Sequence, residues 1–202
     1  MSELRHNPVD HSVPEEIRLR WSPVSYAPEP LEDAVLQAVF EGARWAASAF
    51  NEQPWRFVVA RRQDSDRFAS MIDCLVEGNQ SWARNASVVL IVCAVKCYAH
   101  NGKANAHAWF DSGQATAQLM LSAIHQGLHA RAMAGIRPDR ARETWNIGDE
   151  AEPICAVAIG RLADGSLLDP DTAARDQAPR IRKELSEIVY EGTFGESASF
   201  TG

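Results

Sequence analysis

The sequence predicts an α+β sandwich in which helices pack against a small sheet. Three observations carry this reading. Short, apolar, β-branched runs recur at residues 55–61, 87–95 and 154–160, as buried strands do. Segments with helical apolar spacing separate them, in the order helix, strand, helix, strand, long helix, short helix, strand, tail. That order suggests helices laid against a small sheet.

Element by element, residues 1–16 are polar and rich in proline and histidine, and read as a loose arm ahead of a single domain spanning 17–202. Pro23, Pro28 and Pro30 make the next stretch extended or turned. Leu31, Ala34, Val35, Ala38, Val39 and Trp45 then repeat at helical spacing, and the helix is expected to end near Ser48. The loop 49–54 leads into a strand at 55–61. A helix is expected from about 65 to 76, broken by Gly78 and Asn79. Residues 109–128 form the longest helical candidate and are apolar almost all round, which places that helix centrally or at a subunit contact. A short helix at 138–145 and a strand at 154–160 follow. Residues 165–177 read as an exposed, turn-rich loop.

The 202 residues carry a net charge of −7 and are 46% hydrophobic. A chain of this length buries roughly 70% of its unfolded surface, so it needs no metal or disulfide to hold a core. The acidic balance argues against nucleic acid and anionic membranes as partners. The longest dense apolar run, 88–95, is far shorter than the ~20 residues of a membrane span. None of the four cysteines forms a C-x-x-C pair, and residues 1–16 lack the apolar core of a secretion signal, so a cytoplasmic location is expected. His125 and His129 stand four apart. They read as polar helix-end residues, with no third metal ligand nearby.

Dinucleotide-binding and phosphate-loop glycine motifs are absent, as are H-E-x-x-H and G-x-S-x-G. Three clusters remain. R-L-R-W-S at 18–22 and R-I-R-K at 180–183 put paired arginines near each end of an acidic chain. Arg18, Arg20, Arg180 and Arg182 read either as phosphate ligands, with Ser22 completing a cradle, or as solvated surface charge. At 51–53, N-E-Q reads either as a plain turn or as amides facing a ligand edge that alternates donors and acceptors.

Taken together, these segments resemble the nitroreductase family of flavoproteins. The resemblance runs through R-L-R-W-S-P-V-S-Y at 18–26, A-A-S-A-F-N-E-Q-P-W-R-F at 46–57, G-N-Q-S-W-A-R-N-A at 78–86, D-S-G-Q-A at 111–115 and R-I-R-K-E-L-S-E-I-V at 180–189. It implies a nitroreductase-like α+β sandwich with a small, mostly antiparallel central sheet flanked by helices. It also implies an intertwined homodimer that holds FMN between its subunits.

Carried over by position, Arg20, Ser22 and Arg182 hold the FMN phosphate with help from Arg18 or Arg180, and Trp21 lies among them. Asn51 and Gln53 lie near the ring and ribityl chain, with Ser48 close by. Ala134 and Gly135 present backbone amides to the ring. The resemblance further implies NAD(P)H as electron donor and a small electron-poor acceptor such as a nitroaromatic or quinone, used in ping-pong order. Dehalogenation, flavin fragmentation and flavin binding without turnover are the alternatives on the same fold. No catalytic side chain is assigned, because the cofactor carries the chemistry. Two positions depart from the family: Val24 stands where a basic residue near the flavin's pyrimidine edge is usual, and Ala47 stands where proline is usual.

Overall fold

Four strands form one sheet in the order β1-β2-β4-β3, with every neighbouring pair antiparallel. The structure is a computed structural model and describes residues 6–201. The strands are β1 (Trp55–Arg61), β2 (Val88–Val95), β3 (His129–Met133) and β4 (Ala151–Gly160). β2 lies inside the sheet, and seven of its eight residues are buried, as its unbroken apolar run requires. A register shift at Val92/Cys93 marks a bulge against β4.

Helices cover both faces. On one, α2 (Asp33–Arg44) and α5 (Ala108–His125) pack over Leu90, Val92, Val157 and Ile159 through Leu36, Val39, Leu119 and Ala123. On the other, α3 (Ser65–Asp73), α4 (Glu77–Ala83) and α6 (Pro138–Trp145) enclose Val89, Ile91, Ala156 and Ala158 with Tyr26, Met71, Leu75 and Trp82. α5 approaches α2 closely because Gly42 lacks a side chain: a Cβ there would lie 1.8 Å from Ser122 Oγ.

The expected α+β class and small antiparallel sheet are therefore present. Several element expectations need correction. Asp73 ends α3, and α4 runs straight through Gly78 and Asn79, which were expected to break a helix. Its apolar anchors, Trp82 and Ala83, are buried and override the weak propensity of its first turn. Strand β3 was not expected at all. It holds His129, which therefore lies on the sheet and not at a helix end. Within the segment expected as loop, α7 (Pro170–Asp176) starts with Pro at its first turn and with the Asp169 side chain accepting from Thr172 N.

Of the segment expected as a loose arm, residues 1–5 lie outside the described residues. Asn7 Nδ2 donates to the carbonyls of Ile17 and Arg20, at 2.6 and 2.8 Å, and α1 (Glu15–Leu19) begins inside the stretch. Among the described residues, no helix is long and apolar enough to cross a membrane.

Candidate functional site

A cleft of about 620 Å³ opens where four parts of the chain meet: residues 20–24, α4, the middle of β3, and α7 with the segment that follows it. Arg20, Trp21, Ser22 and Val24 line it from the first, and Arg180 and Arg182 from the last. The two arginine clusters thus share one cavity although about 160 positions separate them in the sequence.

Two clasps bring them together. The buried Asp176, at the end of α7, accepts a hydrogen bond of 2.9 Å from Val24 N through Oδ1. Asn7, already bonded to the Arg20 carbonyl, accepts from Arg180 Nη1 at 2.8 Å. The Arg180 guanidinium lies 5.4 Å from the centre of the Trp21 ring. Arg20 Nη1 donates to Ser22 Oγ at 3.2 Å.

Among the described residues, the charge in this cleft is poorly balanced. Arg20, Arg131, Arg175 and Arg182 all line it, and among the described residues none of the four makes an ion pair. Asp176 is the one carboxylate in the described lining. Burial, and then the neighbouring Arg182 charge, push the Arg20 guanidinium below its ordinary value. Beneath it, burial and then the charges of Arg180 and Arg20 push the His129 imidazole down to about 4. Both shifts record the same thing: a partly desolvated patch of positive potential. Such a patch is stabilised by an anion, and guanidinium groups grip phosphate or carboxylate oxygens in pairs.

The other expected residues divide. Arg18 does not line the cleft; its Nη1 goes to Glu15 at 3.2 Å. Ala134 and Gly135 follow β3 and do not themselves line the cleft. Gly135 O accepts from Asn79 Nδ2 at 3.0 Å, and Asn79 itself lines the cleft. A Cβ on Gly135 would come within 2.6 Å of that nitrogen and 2.7 Å of Val76 Cγ2, so this contact requires glycine.

Ser48, Asn51 and Gln53 are not brought to the cleft. They form a separate surface feature, the loop before β1. There Phe50, Asn51 and Gln53 all adopt positive φ, at 55°, 54° and 50°. Surrounding contacts hold that strained backbone in place. Asp111 Oδ2 accepts from Ala49 N at 3.0 Å, Ser48 Oγ from Gln53 N at 3.0 Å, and Glu52 Oε1 from Ala99 N at 2.7 Å. The rings of Phe50, Tyr98 and His100 cluster at 5.4–5.9 Å, so residues 98–100 brace this loop. Gln53 Nε2 donates to the Asn51 side chain at 3.2 Å. Both amides are thereby kept together at the surface.

The residues missed in the sequence are Asn79, Trp82, Arg131, Thr172, Arg175 and Asp176. Asn79 and Trp82 lay inside the 78–86 stretch and could have been suspected. A lone arginine in an unrecognised strand gave no such signal. His125 and His129, considered as a metal pair, point to different surroundings: His125 Nδ1 meets Glu16 at 3.2 Å, while His129 is buried edge-on to Trp21.

Fold and cleft define a helix-covered antiparallel α+β protein with a cationic cavity beside its sheet edge. Residues 17–76 and 66–161 match the model of the nitroreductase family. The chain belongs to that family. A solved oxidoreductase containing FMN is 36% identical and superposes over 98% of this chain and 100% of its own, with a TM-score of 0.89. An uncharacterised 15.4 kDa protein of Mycolicibacterium smegmatis is 33% identical over 147 residues, covering 69% of this chain and 97% of its own. A Streptomyces coelicolor protein with the provisional name NADH dehydrogenase/NAD(P)H nitroreductase is 26% identical, covering 79% of this chain and 84% of its own.

Proposed function

We propose that this chain is an FMN-dependent oxidoreductase that works as a homodimer. In this reading it takes electrons from NAD(P)H and delivers them, in ping-pong order, to a small electron-poor acceptor such as a nitroaromatic or quinone. The convergence of Arg20, Arg180 and Arg182 with Ser22 on one cleft, in a chain of net charge −7, is the observation that carries it. FMN has a dianionic phosphate at one end and a flat ring with an alternating donor–acceptor edge at the other, and the cleft and the 48–53 loop suit those two ends. The FMN content of the 36%-identical structure supports the choice of cofactor, and the name of the Streptomyces coelicolor relative supports the donor.

Bound FMN supplies two-electron chemistry, and the side chains position it and exclude water. Arg20, Ser22 and Arg182 grip the phosphate, and Arg180, held by Asn7 over Trp21, adds charge at the rim. The Ala134–Gly135 backbone, packed against Asn79, would present its amides to the ring. Ser48, Asn51 and Gln53 come from the partner subunit, which accounts for their forming a preorganised surface loop apart from this chain's own cleft. Asp176 Oδ1 holds Val24 N, and protons come from solvent or from the flavin itself.

The visible spectrum of the purified protein tests the cofactor, with flavin bands expected that are released on denaturation. Arg20→Ala and Arg182→Ala should each weaken FMN binding tenfold to a hundredfold, because a charge-assisted contact contributes about 1.5–3 kcal/mol. Normal affinity in both variants refutes the phosphate cradle. Parallel reciprocal plots for NADPH and a nitroaromatic acceptor are expected, and intersecting ones reject the ping-pong order. Tight FMN without NAD(P)H oxidation makes the chain a flavin-binding or sensing protein instead.

A further inference from the structure

Val24 lines the cleft as an apolar, buried residue and leaves the 20–24 segment without a cation at that point. We propose that Arg131 supplies the missing positive charge and biases a bound flavin toward its reduced, anionic form; this rests on the FMN reading above. Arg131 is the middle residue of the five in β3, half-buried and directed into the cavity. Its Nη1 donates to the Ser22 carbonyl at 2.5 Å, so its guanidinium is delivered to the same segment, two residues from Val24. Its Cζ lies 5.3 Å from the centre of the Trp82 ring on α4, a contact that fixes the plane of the group.

The other cleft arginines are differently placed. Arg20 is bonded to Ser22 Oγ beside Arg182, Arg180 is held by Asn7 over Trp21, and Arg175 Nη2 donates to Thr172 Oγ1 at 3.0 Å on α7. Arg131 alone rises from the sheet, and its partners are a carbonyl and a ring, neither of which cancels its charge. One turn of α4 away from Trp82, Asn79 reaches Gly135 O, where the ring is expected to lie.

Reduction brings two electrons and one proton into a flavin ring, so the ring gains one net negative charge. A half-buried cation without an ion-pair partner favours that state more strongly than a solvated one would, because its field is less screened. The group therefore acts on the difference in binding between reduced and oxidised cofactor. A phosphate ligand acts on both equally.

The test compares the holoprotein with Arg131→Gln and Arg131→Lys. It measures the affinity for oxidised FMN and the midpoint potential of bound FMN, at saturating cofactor, by equilibration with redox dyes. Arg131→Gln should lower the preference for reduced FMN about tenfold, which lowers the two-electron potential by about 30 mV. Oxidised FMN should bind within threefold of wild type, and Arg131→Lys should recover most of the potential. An unchanged potential in Arg131→Gln overturns the proposal, as does a loss of oxidised-FMN affinity as large as that of Arg182→Ala. A wild-type protein that takes up no FMN overturns the cofactor reading itself, an outcome distinct from either.

Discussion

At the scale of single residues, His129 shows what burial beside the cationic cleft does to a titratable group. Its imidazole is buried beneath Arg20 and Arg180 and edge-on to Trp21, with a folded-state value near 4 against the ordinary 6.5. Between those limits the unfolded chain binds a proton that the folded chain refuses, so stability falls as pH drops from 6.5 toward 4 and is unaffected by this group above that window. The loss from this residue alone is at most about 3 kcal/mol. Urea midpoints measured across pH 4–7 should show the decline, and His129→Gln should flatten it. Gly135→Ala tests the contact between Gly135 and Asn79. Its Cβ displaces the Asn79 amide, so the variant should lose about 1–3 kcal/mol of stability and bind FMN more weakly by equilibrium titration.

At the scale of elements, the α2–α5 contact is the tightest joint in the helical layer over β2 and β4. Gly42→Ala would thrust a methyl group into Ser122 and should cost about 1–3 kcal/mol, read as a lower urea midpoint at unchanged slope. Pairing it with Ser122→Ala should recover part of the loss. The sequence made β1, β2, β4 and α5 legible within a few residues, because each is long and periodic or largely apolar, and α6 through the proline that opens it. It hid β3, whose five residues, H-A-R-A-M, carry two polar side chains, of which Arg131 lines the cleft, and no dense apolar run. It hid α4 and α7 for a related reason. Their apolar or charged contacts, Trp82 against Tyr26 and Asp176 against Val24, exist only once distant segments have met. The site followed the same rule. Arg20, Ser22, Arg180 and Arg182 were readable as an unexplained excess of arginine in an acidic chain. Arg131 and Asn79 acquire meaning only from the sheet and helix that carry them.

At the scale of the whole molecule, the proposed cofactor site is divided: a cleft of cations on one surface and a rigid amide loop on another. Near that loop and the exposed flank of α5, Trp45, Phe50, Trp109 and Phe110 present large apolar area to solvent. Under the proposed dimer these faces are buried between subunits. Trp109→Glu with Phe110→Glu should shift the protein to monomers on size-exclusion chromatography with light scattering, and the monomers should release FMN. A double variant that stays dimeric and yellow counts against that interface. The Asp176–Val24 clasp has a bearing on how the protein is made. No anion can be gripped by Arg20, Arg180 and Arg182 together until Arg182 has left the ribosome and Asp176 has met Val24. Under the proposed function, cofactor capture is thus a late step in biosynthesis, and any chain that stops short of α7 should reach the cell empty-handed, however well its sheet has formed.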